Sequence, residues 1–267
     1  MFQAQPILLG QYRPLDSFLH RLDARAKMAP VSLVLVLALL THSFVFHIVV
    51  LLALILALLA SGVGAATLMR NFRPVVLLVL ITVSYHLVFS GHDTPTVLTV
   101  FGFRLTQGAL AEAGYYSLRL VLFIAVAFLI TLTSSPSDLA DAFTRLLRPL
   151  RKVRVPVDDL ALILFMAIRF IPILYEEFVT IRNAQIVRGV RFSGSMFRRL
   201  KKTIYIIVPV FVAALQRADE LALALQARGY QGGAQRTFYS HSLFGWREWF
   251  FMAASSALLL AAFYLTR

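Results

Sequence analysis

Two arginines in matching positions are the residues of this chain best suited to specific chemistry. Arg188 precedes Gly189, and Arg228 precedes Gly229, each at the end of a long stretch with helical periodicity. An arginine held at a helix end offers a planar fork of donors that can pair with both oxygens of a carboxylate. One such end is an ordinary helix cap, in which glycine accepts positive φ and the cation faces the helix dipole. Two such ends in one chain, 40 residues apart, weaken the interpretation as ordinary helix caps.

The acidic residues offer little for catalysis. Glu112 and Arg119 are seven residues apart on one helical face, which indicates an ion pair facing the interior of a helix bundle. Asp158 and Asp159 directly precede an apolar run and are interpreted as an N-cap. Nothing in the sequence groups a nucleophile, a base and an orienting residue, so we predict no catalytic residues. A membrane-embedded enzyme remains the alternative class.

Four histidines could ligate a metal ion, since imidazole suits Co²⁺ and Ni²⁺. They are His42, His47, His86 and His92, with Asp93 beside the last. The spacing of the first two is poor for one helical face, and we interpret the group as interfacial polar residues. We therefore predict no metal site and no cofactor. The chain has no cysteine, which excludes thiolate chemistry. It also has no G-x-x-x-x-G-K followed by Ser or Thr, so it has no P-loop for ATP.

The composition is that of a membrane protein. Of the 267 residues, 59% are hydrophobic and only 15% are charged. The segment from Met28 to Met69 contains no Asp, Glu, Lys or Arg. A water-soluble globule cannot bury such a run, and a disordered chain is not this apolar. The net charge of +13 indicates basic cytoplasmic loops and anionic lipid or protein partners rather than nucleic acid.

The sequence predicts an all-α integral membrane protein with about five transmembrane helices and long amphipathic cytoplasmic helices. Each span needs about 20 mostly apolar residues. Thr41-His42-Ser43 divides the first apolar run into a hairpin of two helices, and Pro74 suits the first turn of the third. The predicted spans cover residues 25–41, 44–61, 74–89, 108–133 and 248–266.

Basic residues set the predicted orientation. Four lie before or within the first turn of the first helix, two lie in the 62–73 loop, and five lie in 134–159. The loops on the other side are nearly free of them: 41–43 has none and 90–107 has one. The excess of Lys and Arg on one side therefore predicts a cytoplasmic N-terminus, a cytoplasmic 134–247 region and an external C-terminus.

The 134–247 region contains eight of the 13 acids and is predicted to form amphipathic helices. The first begins with a Ser135–Asp138 cap and ends at Pro156. The second runs from near Asp158 to Gly189, and the third from near Lys201 to Arg228-Gly229. Each of the last two has an apolar first half and a charged second half. The chain thus divides into 1–133 with the tail and four spans, 134–247 with the amphipathic cytoplasmic helices, and 248–267 with the last span.

Three passages resemble the transmembrane T component of energy-coupling factor transporters, which are ABC-type importers of vitamins and of cobalt or nickel. The first is His20–Lys27. The second runs from Arg169-Phe170-Ile171-Pro172 to Ala184–Gly189, and the third from Pro209 to Ala227-Arg228-Gly229-Tyr230. Together the resemblance extends from about residue 12 to 233. The family's first coupling motif is often Ala-Arg-Gly, whereas Val187 precedes Arg188 here.

The resemblance implies a non-catalytic subunit of the bacterial inner membrane that joins two P-loop ATPase subunits to a substrate-binding membrane subunit, with membrane lipid around it. The opening Gln11–His20 is most similar to the cobalt-type members, which implies cobalt as the cargo, with nickel or a vitamin such as biotin as alternatives. The implied ATPase-coupling residues are Ala184, Arg188, Gly189, Ala227, Arg228 and Gly229. The implied structural or interface residues are Asp23, Arg25, Arg169, Pro172 and Pro209.

Overall fold

The computed structural model describes residues 17–62, 64–90, 94–100, 103–190, 195–232 and 244–266. These residues belong to two compact units. Within the described ranges, one unit comprises residues 17–142 and 244–266, and the other comprises residues 143–232. The helices, in chain order, are α1 (Phe18–Arg21), α2 (Ala24–Leu40), α3 (Phe44–Ala60), α4 (Ala65–Phe89), α5 (Gln107–Thr133), α6 (Pro136–Leu146), α7 (Val157–Val187), α8 (Met196–Ala227) and α9 (Trp246–Thr266).

The first unit is a bundle of apolar helices. Helices α2, α3, α5 and α9 share one core, in which Val34, Phe46, Leu58, Leu122 and Leu132 are almost fully buried. Three stretches in the described residues are long and apolar enough to cross a membrane: Phe72–Phe89, Gln107–Thr133 and Trp246–Thr266. Helices α2 and α3 have 17 residues each, slightly fewer than a typical span. The prediction of an all-α membrane protein is confirmed.

The start of α4 corrects one prediction. The helix begins at Ala65, so Pro74 lies in its interior rather than in its first turn, and Arg70 and Arg73 are helical residues. An internal proline removes one backbone hydrogen bond. Packing along α5 offsets that cost, as in the edge-to-face contact of Phe72 with Phe128 at 5.2 Å between ring centroids.

The 90–107 segment contains a hairpin that the sequence analysis did not predict. Strand β1 (Thr96–Val100) pairs antiparallel with β2 (Phe103–Thr106), and Thr96 lies opposite Thr106. Threonine and valine favour such extended backbone. The Thr106 hydroxyl accepts a hydrogen bond from the Ala109 amide at 3.3 Å, so the hairpin leads directly into the N-cap of α5.

The cap predicted for the first amphipathic helix is confirmed, but its end is not. The Ser135 hydroxyl accepts from the Asp138 amide at 3.1 Å, and the Ser135 amide donates back to the Asp138 carboxylate at 3.3 Å. Helix α6 then ends at Leu146 instead of Pro156, because a 3₁₀ helix follows at Arg148–Val153. Helix α8 starts five residues before the predicted Lys201, and both long helices end where predicted.

The segment around Lys27 joins the start of α2 to the end of α5. Lys27 is 3% exposed, and its ammonium donates to the carbonyls of Leu19 at 3.1 Å and Thr133 at 2.8 Å. The Nε2 atom of His20 lies 3.2 Å from the Leu132 carbonyl oxygen. The Lys27 ammonium and the His20 ring thus satisfy carbonyls at the C-terminus of α5, where the helix backbone provides no hydrogen-bond donors.

We expect Lys27→Met to lower the thermal stability of the purified protein. The variant keeps the length and apolar stem but leaves two buried carbonyls without their charged donor, a loss of about 2–3 kcal/mol. The midpoint of thermal unfolding in detergent, followed by size-exclusion chromatography, measures the effect. Lys152→Met, at an exposed site, is the matched control and should leave the midpoint unchanged. Equal midpoints for the two variants would contradict the assigned role.

Candidate functional site: two helix ends with terminal arginines

Helices α7 and α8 pack against each other and run in opposite directions. The Arg217 guanidinium donates to the Glu177 carboxylate at 3.2 Å, and the Tyr230 hydroxyl donates to the Asp159 carboxylate at 3.0 Å. The residue numbers rise along one helix as they fall along the other, which defines an antiparallel pair. Ion pairs as exposed as Arg217–Glu177 contribute about 1 kcal/mol or less. This contact therefore fixes the register of the pair more than its stability.

Helix α7 ends in a complete Schellman motif. The Gly189 amide donates to the Ile186 carbonyl at 3.0 Å, and the Val190 amide donates to the Gln185 carbonyl at 3.0 Å. Gly189 has φ of +90°, a conformation that side-chain-bearing residues rarely adopt. The motif satisfies the last carbonyls of the helix and turns the chain away immediately after Arg188.

Helix α8 ends in the same way. The Gly229 amide donates to the Gln226 carbonyl at 2.9 Å, and the Tyr230 amide donates to the Leu225 carbonyl at 2.9 Å. Gly229 has φ of +74°, and open space surrounds the position of a Cβ atom there. The glycine is needed for its backbone conformation and not for close packing. The turn also carries Tyr230 back to Asp159 at the start of α7.

The two arginines lie at opposite ends of the helix pair. Arg188 is eleven residues beyond Glu177, and Arg228 is eleven residues beyond Arg217. Each distance corresponds to about 16 Å of helix, and neither stretch contains proline. Both side chains are exposed, and among the described residues neither guanidinium forms an ion pair. Each helix end thus presents a cation to solvent.

The alanines and the other implied interface residues lie in varied places. Ala184 and Ala227 are exposed within one turn of the terminal arginines. Pro172 and Pro209 are inside α7 and α8, each before the Glu177–Arg217 contact. Arg169 lies on an exposed face of α7.

In the other unit, Asp23 caps α2. Its carboxylate accepts from the Arg25 amide at 2.9 Å and from the Arg25 guanidinium at 2.7 Å. These two residues therefore hold the local conformation at the entry to α2.

An apolar surface precedes the charged half of α8. Six of its large side chains keep more than half of their surface exposed: Ile204, Tyr205, Ile207, Val208, Phe211 and Leu215. Monomeric soluble proteins rarely expose so many apolar side chains together. We refer to these six residues as the α8 apolar surface.

Two predictions about charged residues are wrong. Asp158 and Asp159 are not an N-cap, because α7 already begins at Val157 and its cap has no side-chain hydrogen bond. Instead Asp158 pairs with Arg151, and Asp159 accepts from Tyr230.

Glu112 and Arg119, both described, form no ion pair with each other. Seven residues of helix separate them by about 10 Å. The Arg119 guanidinium lies over the Phe123 ring at 5.6 Å from its centroid.

The histidines stack on aromatic rings. His42 stacks on Tyr115 at 5.2 Å, and His86 stacks on Tyr116 at 4.5 Å between ring centroids. His47 is buried and its Nδ1 atom lies 2.8 Å from the Ser43 carbonyl oxygen. His92 and Asp93 lie outside the described residues. Within the described ranges, no three His, Asp or Glu side chains are grouped as a metal site requires.

Comparisons with known proteins identify the family. The family model for CbiQ, described as cobalt transport protein, matches residues 16–239. The chain belongs to this family. It is similar to the energy-coupling factor transporter transmembrane protein EcfT of Brevibacillus brevis, with 40% identity over 258 residues, which cover 96% of this chain and 97% of the relative.

Two further EcfT proteins show the same extent of similarity. The protein of Lactococcus lactis subsp. cremoris is 36% identical over 236 residues, covering 88% of each chain. The protein of Bacillus subtilis is 37% identical over 234 residues, covering 87% of this chain and 88% of its own. The match thus includes both arginine-terminated helices of this CbiQ-family chain.

Sequence analysis of this CbiQ-family member missed the contacts between its two long helices. The sequence did not predict the Glu177–Arg217 or Asp159–Tyr230 contacts, although Glu177, Arg217 and Tyr230 lie within the passages that resemble the family. The available signal was the tyrosine directly after Gly229, at the position whose side chain commonly packs back on a Schellman-capped helix.

We expect Gly229→Ala to weaken the end of α8. Alanine in the left-handed conformation costs about 1–2 kcal/mol, which should open the Tyr230–Leu225 hydrogen bond. Hydrogen exchange of the amides from Leu225 to Tyr230 should become faster. Gly232→Ala is the matched control, since its Cβ position is also open and its φ is not in the positive range. Unchanged protection in Gly229→Ala would show that the turn does not depend on glycine.

Proposed function

We propose that this chain is the T component of an energy-coupling factor transporter and transmits motion from two cytoplasmic ATPase subunits to a substrate-binding membrane subunit. The observation that carries the proposal is the pair of identically capped, arginine-terminated ends on one antiparallel helix pair. The chain has no P-loop of its own, so ATP must be bound by partners.

The similarity of the two ends supports two similar partners. Each end combines an exposed arginine with a Schellman turn, and the second half of each helix carries charged residues. A guanidinium can pair with both oxygens of one carboxylate, which gives a specific contact in a groove of matching shape. Two copies of one ATPase, or two related ATPases, would offer two such grooves at opposite ends of the helix pair.

The α8 apolar surface supports a membrane partner. Its exposed Ile207, Val208 and Phe211 side chains resemble the apolar core of an obligate interface more than a solvated helix face. We propose that the substrate-binding subunit rests on this surface. The charged half of the same helix then contacts the ATPase, and one rigid helix links the two partners.

Cobalt is the cargo that we propose, on the similarity of the N-terminal segment to cobalt-type members and on the description of the matching family. Nickel or a vitamin such as biotin is the alternative cargo, and the names of the similar EcfT proteins specify no cargo. Uptake of radioactive cobalt by cells that produce the complete complex tests the first candidate. Uptake of biotin by the same cells tests the second.

Reversing the charge of the terminal arginines should weaken assembly. Loss of one partner of a buried charge pair costs about 2–5 kcal/mol, so Arg228→Glu should reduce ATPase affinity at least about thirtyfold. We expect a smaller effect for Arg188→Glu, because Val187 departs from the family motif, and the largest effect for the double variant. Co-purification of the ATPase subunits and substrate uptake measure the result.

Arg182→Glu is the matched control, since Arg182 is exposed on α7 but lies six residues before Arg188. The chain itself should remain in the membrane in all variants. Undiminished co-purification and uptake with the double variant would contradict the coupling role. The helix-cap interpretation predicts that result, with only a small loss of stability.

We also propose that the N-terminus and the 134–247 region are cytoplasmic. Single cysteines introduced into this cysteine-free chain report the side from which an impermeant thiol reagent reaches them. Ser137→Cys and Gly232→Cys should react only in permeabilised cells, and Thr96→Cys should react in intact cells. Labelling of Ser137→Cys from outside would reverse the orientation.

A further inference from the structure

An apolar crevice runs between helices α2, α3 and α9. It has a volume of about 430 Å³, which is within the range of ligand pockets. Its walls include Pro30 and Val34 of α2, Val50 and Leu54 of α3, and Ala254 and Leu258 of α9. Phe18, Phe250 and Leu258 border it with 60%, 64% and 60% of their surface exposed, so the crevice opens at the surface of the bundle.

A polar pocket adjoins the crevice at one end of α9. It has a volume of about 330 Å³ and is lined by Ser17, Phe18, Arg21, Leu22, Arg247 and Glu248. Phe18 lines both spaces. The residues that line the polar pocket include two arginines and one glutamate, whose formal charges sum to +1. Lys27 lines the crevice, and its ammonium donates to the carbonyls of Leu19 and Thr133.

The two spaces match the depth of one membrane leaflet. Arg247 and Leu259 are twelve residues apart on α9, about 18 Å along the helix. Half of a hydrocarbon core is about 15 Å. Trp246 and Trp249 are 82% and 58% exposed at the same end of α9, and tryptophan is enriched at the membrane interface. The polar pocket thus lies at the level of lipid headgroups, and the crevice extends into the acyl region.

We propose that the crevice and the polar pocket together bind one anionic phospholipid. An acyl chain lies in the crevice against Val34, Leu54 and Ala254, and the phosphate lies between Arg21 and Arg247. Glu248 accepts hydrogen bonds from headgroup hydroxyls, such as those of phosphatidylglycerol. The net charge of the pocket is opposite to that of a monoanionic lipid, which favours such a lipid over the zwitterionic phosphatidylcholine and phosphatidylethanolamine.

The chain carries the probe for a direct test, because its only two tryptophans are Trp246 and Trp249. The full-length protein is reconstituted in phosphatidylcholine with increasing fractions of phosphatidylglycerol that has brominated acyl chains, which quench tryptophan on contact. We expect quenching at low fractions to exceed that of brominated phosphatidylcholine, with about a fivefold preference. Brominated phosphatidylethanolamine should show no preference.

Two variants test the two parts of the site. Arg247→Gln should abolish most of the preference for phosphatidylglycerol, whereas Arg73→Gln, an exposed arginine on α4 outside both spaces, should not. Ala254→Phe should fill the crevice and reduce preferential quenching, whereas Ala253→Phe, on the neighbouring exposed position, should not. Each variant is normalised to its own fluorescence in unbrominated lipid.

Three results would overturn the proposal. They are equal quenching by phosphatidylglycerol and phosphatidylcholine, equal preference for phosphatidylethanolamine, and equal effects of Arg247→Gln and Arg73→Gln. The first would leave the crevice as a surface for a protein partner. The second would assign the headgroup contact to Glu248 and an ammonium group instead. The third would reduce the effect to the general charge of the membrane surface.

Discussion

The ammonium group of Lys27 is buried where the ends of α1, α2 and α5 meet. A buried cation is costly unless its hydrogen bonds are satisfied, and here the carbonyls of Leu19 and Thr133 accept from it. Thr133 is the last residue of α5, and α6 begins at Pro136. The same interaction therefore closes the transmembrane bundle and fixes the point from which the chain leaves it toward the amphipathic helices.

The long amphipathic helices α7 and α8 each present one exposed arginine, Arg188 or Arg228, at the C-terminal end. A C-terminal arginine is useful to a partner only if the chain turns aside immediately after it. Gly189 and Gly229 provide that turn in both helices, and the antiparallel packing directs the ends in opposite directions. A parallel pair would place both arginines at the same end.

The sequence predicted the helices well and their contacts poorly. Hydropathy, caps and the Arg-Gly ends located all five apolar helices and both long amphipathic ones, because these signals are local. The predicted start of α4 was wrong because Pro74, which favours the first turn of a helix, lies inside a helix that packs along α5. The expected Glu112–Arg119 ion pair does not form, because two side chains on one helical face can still be too far apart along the helix axis to contact each other. Contacts between helices, such as Asp159–Tyr230, depend on register, which no single segment encodes.

The equal spacing of the two arginines from the Glu177–Arg217 contact has a mechanical consequence. If that contact is the pivot, both ends move on a radius of about 16 Å, and a rotation of about 10° displaces each by about 3 Å. Because the two radii are equal, such a rotation displaces both arginines by the same distance. The Tyr230–Asp159 hydrogen bond then restrains this rotation, since it must stretch or break before the two helices can rotate about that contact.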